Sequence, residues 1–143
     1  MLHYDGVELA LEESGTTRDL FTVHGNAERV DAVGGSGDGL IVENSGSGWQ
    51  EVTPSGTPIL QLAGVCLDED AGYAVGDYGS VLALADAGWT KVDLGVEVVQ
   101  SFHATWIDPQ GGVWAVGGEV STLPLSDGVM VHKGASVPGG TFQ

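Results

Sequence analysis

The sequence predicts an all-β protein assembled from a repeated unit of four short antiparallel strands, and three observations carry that prediction. The tripeptide Ala-Val-Gly occurs at Ala32-Val33-Gly34, Ala74-Val75-Gly76 and Ala115-Val116-Gly117, its valines 42 and 41 residues apart. Such a period points to one supersecondary unit used repeatedly. Gly48-Trp49 and Gly88-Trp89, 40 residues apart, run in phase with the first two copies. Helix signals are nearly absent: no long window carries apolar residues at i, i+3, i+4 and i+7 without an interrupting glycine. The best candidate, residues 9–13, is too short to hold a helix alone.

The elements follow in order as β-rich stretches bounded by Gly, Asp, Asn, Ser or Pro. Residues 1–6 read as a strand already under way and 7–11 as the strand after it; residues 1–6 resemble 130–134. The first full unit has strands at 20–23, 30–33, 40–43 and 49–52, with turns at 24–27, 34–39 and 44–48. The second keeps the plan, with strands at 59–62, 73–75, 81–84 and 89–92 and turns at 68–72, 76–79 and 85–88. In the third, strands at 101–106 and 113–116 flank a turn at 108–112, and strand 129–132 follows a longer connection, 117–128. The chain therefore divides into a partial unit 1–16, whole units 17–57 and 58–98, a partial unit 99–134 and a tail 135–143.

Four antiparallel strands in a unit of about 40–45 residues is the signature of a β-propeller blade. The expected fold is thus all-β, with propeller blades of four antiparallel strands and about three to three and a half blades in this chain. Ala-Val sets small, β-branched side chains where strands crowd towards the narrow centre of a twisted blade. The glycine that follows is expected to supply the positive φ of a tight hairpin. Trp after a glycine-rich turn offers a large apolar plate to wedge between blades. Closed propellers typically have about 4–8 blades, so roughly thirteen strands fall short of a ring. Either a homo-oligomer completes the ring or the chain is part of a longer polypeptide.

The combination of Leu20-x-x-Val23, Ala-Val-Gly and Gly48-Trp49-x-x-Val52, repeated along residues 1–134, resembles the propeller repeats of secreted bacterial proteins, notably those of myxobacteria. These are similar in turn to photosystem II assembly-factor-like and neuraminidase-repeat propellers. The resemblance implies a propeller fold and an extracytoplasmic or secreted bacterial setting, and it is specific for fold rather than activity. A neuraminidase Asp-box, Ser-x-Asp-x-Gly-x-Thr-Trp, is not matched by Ser45-Gly-Ser-Gly-Trp49 or Ala85-Asp-Ala-Gly-Trp89. Arg18 and Arg29 are the only arginines, so the sialidase arginine cluster has no counterpart and glycosidase activity by that route is not expected.

Composition narrows the function classes. A chain of 143 residues with 42% hydrophobic residues can bury a core and is not a disordered segment. Four basic residues face twenty acidic ones, a net charge of −16; such a surface repels phosphate backbones, so no nucleic-acid partner is expected. The plain use of that acidity is solubility. No apolar run approaches the ~18 residues of a membrane helix, and residues 1–6 carry neither the basic nor the apolar region of a signal peptide. Cys66 is the single cysteine, so no intrachain disulfide forms, and its apolar surroundings suit a small buried hydrophobe.

Chemistry-bearing clusters are sparse. His3, His24, His103 and His132 do not group at metal-ligand spacing, so no metal site is assigned. Asp68-Glu69-Asp70 is the densest carboxylate run; a solvated hairpin turn explains it, and calcium is the one cofactor such oxygens could serve. Residues 34–39, rich in glycine, lack the Lys-Ser/Thr and following helix of a phosphate loop. No Gly-x-Ser-x-Gly elbow is present, and no catalytic residue is assigned. In propellers, ligands meet the loops at one rim, because packing occupies the strands. Loops 34–39, 76–79 and 117–128 supply Asp38, Asp77, Tyr78, Glu119 and Asp127 as the candidate rim. The expected function is a noncatalytic module for protein–protein binding or scaffolding. The alternatives are a lectin-like carbohydrate binder using Trp49, Trp89 and Tyr78, and a hydrolase fragment with a convergent polar cluster.

Overall fold

A computed structural model describes residues 1–56, 58–125 and 127–134; the expected tail at 135–143 lies outside the described residues. The fold is all-β, with thirteen strands in four separate antiparallel sheets among those residues. A hairpin pairs β1 (Leu2–Tyr4) with β2 (Leu9–Leu11). The first meander runs through β3 (Leu20–Gly25), β4 (Val30–Gly34), β5 (Leu40–Asn44) and β6 (Gln50–Val52). The second uses β7 (Leu62–Leu67), β8 (Gly72–Gly76), β9 (Val81–Ala85) and β10 (Gly88–Lys91). The last sheet has three strands, β11 (Phe102–Ile107), β12 (Val113–Gly118) and β13 (Gly128–Lys133). This is the expected class: blade-like meanders, two whole and two partial, with no closed barrel. Among the described residues no helix is long and apolar enough to cross a membrane.

One strand lies elsewhere than its apolarity suggests. Of residues 59–62 only Leu62 is in a strand: residues 59–61 form a connection, and the first strand of the second meander is Leu62–Leu67. The Ile59 carbonyl accepts the Gly39 N–H and the Gln61 carbonyl accepts the Asp77 N–H. The Ile59 side chain meanwhile plugs the core. The segment before the strand serves packing and loop anchoring rather than a ladder.

Each of the three larger sheets begins with the same devices. Asn26, Asp68 and Asp108 close the turn between first and second strands by accepting nearby amides on the side-chain oxygen Oδ1. The donors are Glu28 and Arg29 for the first, Asp70 and Ala71 for the second, Gln110 and Gly112 for the third, at 2.6–3.0 Å. The first strand then shifts register once, between Leu20 and Thr22, Leu62 and Gly64, and Phe102 and Ala104.

Opposite each shift stands the glycine of Ala-Val-Gly. A Cβ on Gly34, Gly76 or Gly117 would lie 2.1, 1.9 or 2.0 Å from the carbonyl oxygen of Asp19, Gln61 or Ser101. The expected positive φ is not the reason for these glycines: Gly76 has φ −171°, extended backbone open to any residue. Close approach requires them. The same three carbonyls accept the N–H groups of Gly35, Asp77 and Gly118 at 2.9–3.0 Å, which pins the rim loops to the first strands.

Because side chains alternate along a strand, the Ala and Val of the repeat face opposite neighbours. Val33 and Ile41 of the first meander pack with Val65, Ala74, Leu82 and Trp89 of the second. Val75 and Val81 of the second pack with Phe102 and Ala115 of the last sheet. Each fully buried aliphatic or aromatic side chain contributes about 1.5–3 kcal/mol, so these inter-sheet seams hold the fold. Trp89 is buried in the first seam, in the wedge role expected of it. Side chains stitch the first strands together: Asn26 Nδ2 donates to the Asp68 carbonyl at 2.6 Å, and the Leu67 N–H donates to His24 Nδ1 at 3.1 Å. Cys66 is buried, and that burial pushes its thiol up from the ordinary value.

Candidate functional site

The loops joining second to third strands leave their sheets at a common end, because each is pinned to the start of its own first strand. Asp38, in the first, is anchored by Arg18, whose guanidinium lies 2.8 Å from its carboxylate and donates to its carbonyl. Asp77 opens a single 3-10 turn, Asp77–Gly79, and accepts the Ser101 hydroxyl at 3.0 Å, linking the second meander to the last sheet. Glu119 accepts the Ser121 hydroxyl and the Ser121 amide, and these two bonds hold its carboxyl below the usual range. Asp127 is exposed on the longest of these three loops. The predicted rim residues thus stand on rim loops, but on separate sheets with separate partners. Among the described residues no three His, Cys, Asp or Glu groups converge on a point.

Tyr78 differs from the others. Its backbone sits at φ 51°, ψ 47°, the only left-handed non-glycine residue among those described. Its side chain is 69% exposed. The turn is held on its far side: the Gly79 N–H donates to the Gln100 carbonyl at 2.9 Å, and a Cβ on Gly79 would lie 2.6 Å from the Val98 Cβ. Beside the ring lies an open groove of about 490 Å³, bordered by Lys91, Asp93, Leu94, Glu97 and Val98. An L-residue in this conformation costs roughly 1–2 kcal/mol, and glycine returns part of that through unfolded-state entropy. Tyr78→Gly is therefore expected to stabilise the chain by about 0.5–1 kcal/mol in urea unfolding. A loss of stability would show that the tyrosine is unstrained.

Other reactive-looking residues are spent on structure. The Asp68 carboxylate accepts two amides of its own turn, so the run at 68–70 is not an open oxygen cage. Two polar clusters were not legible in the sequence. In one, Trp114 Nε1 donates to Asp108 Oδ2 at 3.0 Å while the His132 ring stacks on Trp114 with centroids 4.0 Å apart. The indole N–H, then the amides of Gly112 and Gln110, hold the Asp108 carboxyl below its usual value. Its contribution to stability is therefore full above the unfolded value and is lost as pH falls through the folded one.

The second cluster joins Arg29, Asp31 and Glu43. Asp31 is fully buried, and Arg29 Nη2 lies 2.8 Å from its Oδ1 and 2.7 Å from Glu43 Oε2. Burial raises the Asp31 pKa, against the Arg29 hydrogen bonds and charge that lower it. Both clusters arise from cross-strand partners: Trp114 pairs with His132, and Asp31 with Glu43. Comparison of the chain with protein-family models, with curated proteins and with solved structures finds no match.

Proposed function

We propose that the chain is a noncatalytic β-propeller module that binds a protein partner through its rim loops, with Tyr78 as the anchor. The presentation of Tyr78 carries this reading: an exposed aromatic is held at a conformational cost beside a groove with polar edges. Tyrosine anchors are enriched at protein interfaces, where a ring of polar residues excludes water around them. Lys91, Asp93 and Glu97 border the groove in that manner. The acidic surface favours a partner with a basic patch and speeds its encounter. Catalysis would need convergent groups with a nucleophile or base in reach, whereas the rim carboxylates are divided among sheets. For the lectin-like alternative, Trp89 is covered and Trp49 is half-buried against Ala32, Leu40 and Val42, which leaves Tyr78 as the exposed aromatic of the three.

A photoreactive phenylalanine analogue placed at Tyr78 tests the proposal. Discrete protein adducts are expected that do not form when the analogue replaces Ser47. The recovered partner should bind Tyr78→Ala at least ~10-fold more weakly, as for an interface anchor. A glycan-array signal that disappears in Tyr78→Ala, without protein adducts, would transfer the site to carbohydrate. An unchanged affinity of Tyr78→Ala for the recovered partner would remove Tyr78 from the site.

A further inference from the structure

The hairpin β1–β2 and the sheet β11–β13 are unfinished in complementary ways. Nine residues separate β6 from β7, ten separate β10 from β11, and eight separate β2 from β3. By that measure β2 stands to β3 as each fourth strand stands to the next sheet. Yet β2 pairs only with β1, and Leu2, Tyr4, Leu9 and Leu11 of the hairpin are all exposed. The last sheet has the opposite deficit: β13 is an edge with no fourth strand among the described residues.

The space that strand would fill is open. A cavity of about 630 Å³ lies between Tyr73, Val75 and Val81 of the second meander and Val113, Ala115 and Val131 of the last sheet. One seam earlier, the corresponding space is filled by Trp89, delivered by the fourth strand β10 against Val33, Ile41, Ala74 and Leu82. Register makes the two seams equivalent. Ala74 pairs with Leu82 where Ala115 pairs with Val131, and Val33 pairs with Ile41 where Val75 pairs with Val81.

The outer faces show the same incompleteness. Val116 and Met130 form the third such pair; they are 41% and 53% exposed, whereas Val33 and Ile41 are 0%. At the other end of the chain, Val23 is 60% exposed while its counterpart Val65 is 4%. One end of the molecule thus presents the face that the other end lacks.

We propose that a second copy of this chain completes the last sheet. Strand β2 of one copy adds antiparallel to the free edge of β13 in the other, and Leu9 and Leu11 enter the open seam. The Val116–Met130 face then meets the sheet around Val23, and the exchange is reciprocal. Three sheets from each copy give a ring of six, within the range of about 4–8 blades for closed propellers, which three sheets alone do not reach. β2 keeps β1 on its other edge. Charge fits as well: the groove mouth carries Lys133, opposed there by Asp93, and β2 is flanked by Glu8, Glu12 and Glu13. The net charge of −16 on each copy opposes approach. Added salt, which shortens the screening length to about 3 Å at 1 M, should therefore strengthen the dimer. The inference rests on the propeller reading but not on a ligand at Tyr78, so Tyr78→Ala is expected to leave the assembly unchanged.

Sedimentation velocity on the full chain is the test. Twice the 14.7 kDa chain mass is expected, with dissociation shifted at least ~100-fold by either Leu9→Asp/Leu11→Asp or Val131→Glu. Leu9 and Leu11 are exposed in the single copy, so the strand variant should keep the circular dichroism of a folded chain, which separates lost assembly from unfolding. Mixing the two variants should give a heterodimer with one of the two seams intact, since one copy retains the strand and the other the groove, and it should be tighter than either variant alone. A chain that stays monomeric at every salt concentration overturns the proposal. So does a dimer untouched by the strand variant, or one abolished by removing residues 135–143.

Discussion

Gly76→Ala is expected to cost at least about 3 kcal/mol, a loss found only for a short list of severe mechanisms. The added methyl would stand 1.9 Å from the Gln61 carbonyl oxygen and 2.8 Å from the Leu62 Cα. Both are backbone atoms, so no side-chain rotation relieves the clash. Moving Gln61 would also disturb the Asp77 N–H bond to that carbonyl, at 2.9 Å, and with it the loop that carries Tyr78. Gly88→Ala is the informative contrast. Gly88 has φ 98° and open space where a Cβ would stand, with nothing within 4 Å, so its cost is only the strain of a left-handed residue, roughly 1–2 kcal/mol. Urea unfolding of both variants separates two accounts of the conserved-in-repeat glycine. Close approach ranks Gly76→Ala as the worse; a turn conformation would rank it as the milder, because φ −171° suits alanine. Gly34→Ala and Gly117→Ala, with contacts of 2.1 and 2.0 Å, should behave like Gly76→Ala.

The same glycines explain why so much of the fold could be read from the chain. Each meander reuses one packing solution, and a contact that tolerates only glycine leaves its mark at every period. Ala and Val beside it face two different seams, so both positions are constrained and the tripeptide recurs whole. Asn26, Asp68 and Asp108 belong to the same record, though Asn at the first position hides the match. Elsewhere the local signal misleads or is silent. Residues 59–62 read as a strand, but the carbonyls of Ile59 and Gln61 are claimed by loops of two sheets and the strand starts only at Leu62, which only tertiary structure reveals. The loops between second and third strands were legible, since the turns between strands could be placed by glycine and aspartate. The left-handed Tyr78 was not, because the turn that carries it is tied to the Gln100 carbonyl through the Gly79 N–H, some twenty residues along the chain. Asp31 was not legible either: a lone aspartate in a strand looks solvent-facing until register sets it against Glu43 and beneath Trp89.

That buried carboxylate sets the second large expectation, for Arg29→Met: a loss of about 3–5 kcal/mol at neutral pH, the range for removing one partner of a buried ion pair. Asp31 is 0% exposed, and it accepts from Arg29 Nε at 3.2 Å and Nη2 at 2.8 and 2.9 Å. Without the guanidinium it would be a buried charge beside the second carboxylate of Glu43. Trp89 also lowers the pKa of this group, but its indole N–H has no hydrogen-bond partner, so it is a weak substitute. The pH dependence follows in sign. Burial already holds the Asp31 pKa above 3.8 in the folded chain, against the opposing influence of Arg29. An acid with a raised folded pKa costs stability while ionised, and that cost is relieved as pH falls through the folded value towards the unfolded one. Removing Arg29 deletes two lowering influences, so the relief should begin at higher pH and be larger than in the parent. Urea unfolding at pH 7 and near pH 4.5 measures it, with the parent as reference for the other carboxylates. Asp31→Asn alone should cost less, since Arg29 is partly exposed and keeps Glu43 at 2.7 Å. Added to Arg29→Met, it should recover most of the loss, a coupling expected of groups in direct contact. An equal loss at both pH values, unrelieved by Asp31→Asn, would assign the cost to the packing of the arginine stem instead of to the charge it neutralises.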